Sequence, residues 1–131
     1  MTGSAGRLHM RRTGSFGELP AEIATALVLV LTELVQNAVE HAFPDHRPDG
    51  CVEVGAQRSR GRLAVTVTDD GIGLPAGFAA DRSDRLGLQI VRTLVSAELG
   101  GSLELRSRND GTSGAQAQLT VSLTRPSASS P

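Results

Sequence analysis

The spacing of hydrophobic and polar residues changes several times along the chain, and each change marks an element. From Arg7 to Arg12 polar and apolar residues alternate over a run short enough for a sheet edge, which predicts a short edge strand. Gly14 to Gly17 reads as a turn, and a helix follows from about Pro20 to Phe43. Pro20 suits a first helical turn, where its missing N–H costs nothing. Pro44 disfavours helical geometry in the residue before it. Ile23 to Leu31 is apolar on nearly every face, which predicts burial all round. Polar residues then appear at 33, 36, 37 and 40, spaced so that they share one helical stripe. Ala26, Leu29 and Val30 continue that stripe toward the N-terminus. A face that is core at one end and carboxylate plus amide at the other either surfaces into water or lines a site.

Asp45 to Gly50, with Pro48, is a loop. Cys51–Arg58 and Leu63–Asp69 alternate and are joined by a short link, so they read as an antiparallel hairpin. The second strand runs into Asp69-Asp70-Gly71-Ile72-Gly73-Leu74-Pro75. Ala76 to Arg85 has no clear period and reads as a mobile loop. Apolar residues at 86, 90 and 94 and at 88, 91 and 95 predict a second helix, stopped near Gly100-Gly101. Ser102–Ser107 and Ala117–Leu123 alternate again, with turn chemistry at Asn109-Asp110-Gly111. The order is strand, helix, two strands, helix, two strands. It predicts an α+β two-layer sandwich, a mostly antiparallel sheet covered on one face by helices.

Length and composition narrow this further. The 131 residues make one domain, with no internal repeat. Residues 1–7 are expected to be an N-terminal extension resembling a cloning remnant, 8–124 the fold, and 125–131 a disordered Pro/Ser tail. Trp and Tyr are absent, so the core must be aliphatic. A net charge of −1 does not suggest a nucleic-acid partner. The single cysteine, Cys51, cannot form an internal disulfide and fits a reducing cytoplasm. The longest unbroken apolar run, Ala26 to Leu31, is too short to span a bilayer, so no membrane contact is expected.

Several groups carry potential chemistry, each beside a plainer explanation. Asp69 at a strand end, followed by Gly71 and Gly73, lets a ligand approach the backbone, or simply makes a tight turn. Gly87 opens the second helix, where free N–H groups favour phosphate, or serves close packing. Asn37 and Glu33 offer oxygen ligands of the kind Mg²⁺ takes beside a phosphate, or form a solvated helix end. His41 is a ligand candidate or a partner of the helix dipole. Arg82 and Arg85 would meet phosphate or water.

Taken together, Glu33-x-x-x-Asn37, Asp69-x-Gly71-x-Gly73 and Gly87-Leu88-x-Ile90-Val91 resemble the ATP-binding domain of the GHKL superfamily over about residues 8–124. The resemblance implies the Bergerat α/β sandwich. Glu33–His41, Thr68–Pro75 and Leu86–Val95 look most like bacterial sensor histidine kinases of the PdtaS type. By that resemblance Asn37 would ligate Mg²⁺, and Glu33 would shape the metal's water shell or act as base. Asp69 would accept the adenine amino group, with Gly71 and Gly73 beside the nucleotide. Residues 74–86 would be a lid, and the Gly87 and Leu88 amides would meet the phosphates. His41 falls where many such kinases place a Tyr or His near the phosphates.

There are departures. Arg85 stands where the lid-end motif usually has its first glycine, so phosphate cradling would rest on fewer amides or on the arginine side chain. Glu40 stands where lysine is frequent, and the lid is short, with Phe78 its one aromatic residue. Gly111-Thr112 resembles the Gly-Thr that helps bind adenine, whereas an alternative alignment puts Gly114-Ala115 there and loses the hydroxyl. None of His9, His41 and His46 sits in a helical hairpin of the kind that carries a phosphoacceptor. The expectation is therefore a catalytic domain alone, monomeric in isolation and either cut from a larger kinase or encoded separately. It would present ATP to a histidine on a dimerisation domain upstream of a response regulator. The alternatives are a stand-alone anti-sigma-factor serine kinase of the same fold and a nucleotide-sensing module without transfer.

Overall fold

The computed structural model describes residues 8–42, 50–73, 86–108 and 113–123, with the backbone alone at 8, 41 and 42. The elements are β1 (Leu8–Gly14), α1 (Ala21–Ala42), β2 (Gly50–Ser59), β3 (Arg62–Asp69), α2 (Leu86–Ala97), β4 (Leu103–Ser107) and β5 (Ala115–Ser122). They form one five-stranded sheet in the order β1-β2-β3-β5-β4. The β2–β3 hairpin is antiparallel, as the alternation predicts, with Val54 opposite Val67. β3–β5 and β4–β5 are antiparallel too. β1 takes the edge and runs parallel to β2. A parallel pair needs a crossover connection, and α1 lies within it.

Strand alternation divides the sheet into two unlike faces. Val52 and Ala56, Leu63, Val65 and Val67, and Ala117, Leu119 and Val121 point to the core. There they meet Ala26, Leu27, Val30 and Leu34 of α1 and Leu88, Val91 and Val95 of α2, with Leu99 just beyond that helix. Every buried hydrophobic residue among those described is Ala, Val or Leu, the aliphatic core that the composition requires. The other face is polar. Glu53, Thr68, Gln116 and Arg106 stand in one cross-strand row. Gln116 Nε2 donates to Thr68 Oγ1 at 3.1 Å, and Arg106 donates to Gln118 at 2.7 Å.

The expectation that Ile23–Leu31 of α1 is buried all round is wrong. Val28 is 61% exposed and Leu29 55%. A two-layer sandwich has a sheet on one side only, so roughly half of each helix faces outward. Leu29 accordingly leaves the stripe on which its spacing had placed it with Ala26 and Val30. Judged as a whole helix rather than by its longest apolar run, Ala21–Glu40 has the length and hydropathy of a membrane span, with mean hydropathy 1.5. Its inner face is packed in the core.

Residues 74–85 of the predicted lid, residues 45–49 of the loop after α1, the Asn109–Gly111 turn, the N-terminal extension and the C-terminal tail lie outside the described residues, while Leu86 and Gly50 open α2 and β2. β5 begins at Ala115, two residues before its alternating run.

Candidate functional site

The alternation that sends Leu63, Val65 and Val67 inward sends Asp69 inward as well. A carboxylate therefore lies at the rim of an aliphatic core, only 6% exposed. It is the one buried charged side chain among the described residues. Its Oδ1 accepts the N–H of Gly71 at 2.9 Å and that of Ala115 at 3.2 Å. Oδ2 takes no hydrogen bond from the described residues. Burial pushes the carboxyl above its ordinary range and the nearby Asp70 charge adds to this, while the two amides and Arg108 oppose it.

Neighbouring backbone is drawn in closely around Asp69. A Cβ at Gly114 would collide with the Asp69 carbonyl, so glycine lets β5 start against the end of β3. Gly73, at φ 84°, lies against the Gly114 carbonyl and the Ser107 hydroxyl. Asp70 has a different task. Its Oδ1 accepts the Cys51 N–H at 2.8 Å and its own N–H donates to the Cys51 carbonyl at 3.2 Å, latching the start of β2.

Glu33 and Asn37 lie one turn apart on α1, both half-buried. Among the described residues neither makes a hydrogen bond or an ion pair. α1 packs beside α2, and the Glu33 carboxyl fills the space that a side chain at Gly87 would need. Leu88 is 1% exposed, so its side chain belongs to the core and only its backbone can meet a ligand. The structure thus brings Glu33 to Gly87, and Asp69 to Gly71 and to the Gly73–Gly114 contact. His41 sits in the last turn of α1, its side chain not described; Arg85 and Thr112 lie outside the described residues.

The donor set suits one kind of metal. Glu33 and Asn37 supply hard oxygen atoms without competing partners among the described residues. Among the described residues no three His, Cys, Asp or Glu side chains converge. Two protein oxygens completed by water and phosphate fit the habit of Mg²⁺, whereas a structural zinc needs four protein ligands.

Sequence reasoning did not foresee the Ala115 amide as a partner of Asp69, nor Ser107 beside Gly73. A backbone donor leaves no signature in side-chain type. Gly114, weighed only within an alternative alignment, was the available signal. A polar depression of about 390 Å³ opens among Glu53, Thr66, Thr68, Arg106 and Gln116 on the outer sheet face, and no predicted site residue lines it.

Residues 22–125 match the family described as histidine kinase-, DNA gyrase B-, and HSP90-like ATPase. The sensor histidine kinase PdtaS of Mycolicibacterium smegmatis is 56% identical over 104 residues, 79% of this chain and 21% of that protein. The blue-light-activated histidine kinase 2 of Erythrobacter litoralis is 38% identical over 96 residues, 72% of this chain and 27% of that protein. The solved histidine kinase domain of the Erythrobacter litoralis EL346 blue-light-activated kinase superposes with a TM-score of 0.76 at 31% identity, covering 92% of this chain and 56% of that one. The chain therefore spans about a fifth of the first of these two curated relatives and just over a quarter of the second.

Proposed function

The chain belongs to the family of histidine kinase-, DNA gyrase B- and HSP90-like ATPases, and we propose that it is the ATP-binding catalytic domain of a two-component sensor histidine kinase. The observation that carries the reading is Asp69, a buried carboxylate with one oxygen held by two backbone amides and the other without a hydrogen bond from the described residues. Oδ2 would accept the exocyclic amino group of adenine, with Gly71, Gly73 and Gly114 letting the base lie close to backbone. Asn37 and Glu33 would hold Mg²⁺, which neutralises phosphate charge when bound. The Gly87 and Leu88 N–H groups, in the first turn of α2, would face the phosphates. His41, Arg85 and Thr112 remain candidates for the phosphate and base ends of the same ligand.

The chain's contribution would be positioning and charge neutralisation. The γ-phosphorus would be presented to an imidazole nitrogen of a histidine on a separate dimerisation domain. The new N–P bond forms as the bond to the ADP oxygen breaks, and a response regulator then takes the phosphoryl group. The relatives described above are sensor kinases, which favours this reading over a stand-alone serine kinase.

Titration with ATP in Mg²⁺ and in EDTA tests the metal role. Asn37→Ala should weaken Mg·ATP binding by about 2 kcal/mol, the scale of a charge-assisted contact. Metal-free adenosine binding should stay nearly intact. Equal weakening with and without Mg²⁺ would make Asn37 a helix-end residue only.

A further inference from the structure

Glycine at position 87 has two separable reasons to be there. Donation of an N–H to phosphate does not require glycine, because every residue but proline carries that group. Nor does the backbone require it, since Gly87 is not among the positive-φ glycines. Space is the stricter demand. A Cβ at Gly87 would overlap a carboxyl oxygen of Glu33 and stand 2.6 Å from its Cδ.

We infer that Gly87 is a positioning residue for Glu33: its missing side chain lets the Glu33 carboxyl lie on the first turn of α2. No hydrogen bond from the described residues holds that carboxyl, so packing sets its place. The first turn of α2 carries no acidic residue of its own, so Glu33 supplies the negative charge that the positive end of the helix favours. The carboxyl thus bridges the two helices that carry the proposed metal ligands and phosphate amides, a consequence that rests on the function proposed above.

What a methyl group at 87 would meet is the far end of a flexible side chain, not backbone. Gly87→Ala should therefore fold, helped by alanine's better helix propensity. What changes is where the Glu33 carboxyl points. The defect should be specific to the metal, because the amide survives.

The test has two arms on the intact chain. Without ligand, Glu33→Gln should shift the Leu88 amide resonance in the wild type and leave it unmoved in the Gly87→Ala background; an equal shift in both would overturn the contact. With ATP, the ratio of affinities in Mg²⁺ and EDTA is read for wild type, Gly87→Ala, Glu33→Asp and the double variant. Gly87→Ala should lose roughly tenfold of the Mg²⁺ enhancement, the lower end of what outer-shell residues cost, with metal-free binding nearly unchanged. Shortening the acid by one methylene in Gly87→Ala/Glu33→Asp should recover most of that loss. Equal weakening in EDTA, or no recovery in the double variant, would assign the glycine to phosphate approach instead. A wild type whose Leu88 amide responds as expected but which binds no nucleotide would sink the proposed function and leave the contact standing.

Discussion

At the scale of single residues, Asp69 and Asp70 show how adjacent carboxylates take unrelated tasks from strand alternation. Asp69 faces inward, where the Gly71 and Ala115 amides hold Oδ1. Asp70 faces the other way and ties β2 to β3. An ionised carboxylate can only accept, so Oδ2 should pair with adenine's amino group and reject guanine's carbonyl. ATP over GTP by about a hundredfold is expected, on the order of 3 kcal/mol. In Asp69→Asn the two amides need an acceptor at Oδ1, so the amide oxygen takes that place and the NH₂ turns to the base. Preference should fall to about tenfold or less and lean toward GTP, while Asp70→Asn keeps the wild-type preference. Six dissociation constants, ATP and GTP for the wild type and both variants, decide it, and the reverse pattern would identify Asp70 as the base-reading carboxylate.

The same residue sets a pH dependence. Asp69 is raised above 3.8, so between that value and its folded value the native state binds more protons than the unfolded state. Stability contributed by Asp69 therefore falls as pH rises through that interval. Asp69→Asn removes this loss, so its melting temperature should gain on the wild type as pH climbs upward from 3.8. A gap that closes or reverses over that range would mean that the charged form is favoured in the fold.

At the scale of elements, period predicts type better than it predicts which side is covered. Both helices, the hairpin and the β1 edge were legible, because alternation and three-to-four spacing follow directly from backbone geometry. The direction of β1 was not, since alternation is the same in parallel and antiparallel pairs. Nor was the outer face of α1, where Val28 and Leu29 look like core by composition. Leu27→Ala removes a side chain that is 3% exposed and should cost about 2–5 kcal/mol. Leu29→Ala, two positions on, should stay within about 0.5 kcal/mol. Urea unfolding of the two variants checks this, and similar costs would mean that something covers the outer face of α1.

At the scale of the whole molecule, one sheet carries two surfaces of different character. The inner face packs two helices, and the proposed site has two parts, the β3–β5 junction around Asp69 and the α1–α2 contact between Glu33 and Gly87. The candidate site was legible in the sequence as far as side chains carry it: Asp69 is the buried carboxylate at the strand end, and Glu33 meets Gly87. The Ala115 amide, the Ser107 hydroxyl and the fit of Gly87 to Glu33 emerge only when distant segments close on one another. The central claim is that this chain presents ATP to a histidine it does not itself supply. The most direct measurement is incubation with γ-labelled ATP and Mg²⁺, alone and with a histidine-bearing dimerisation domain, followed by acid treatment. The account predicts no label on the chain alone and acid-labile label on the added domain; acid-stable label on the chain alone would contradict it and favour a serine kinase.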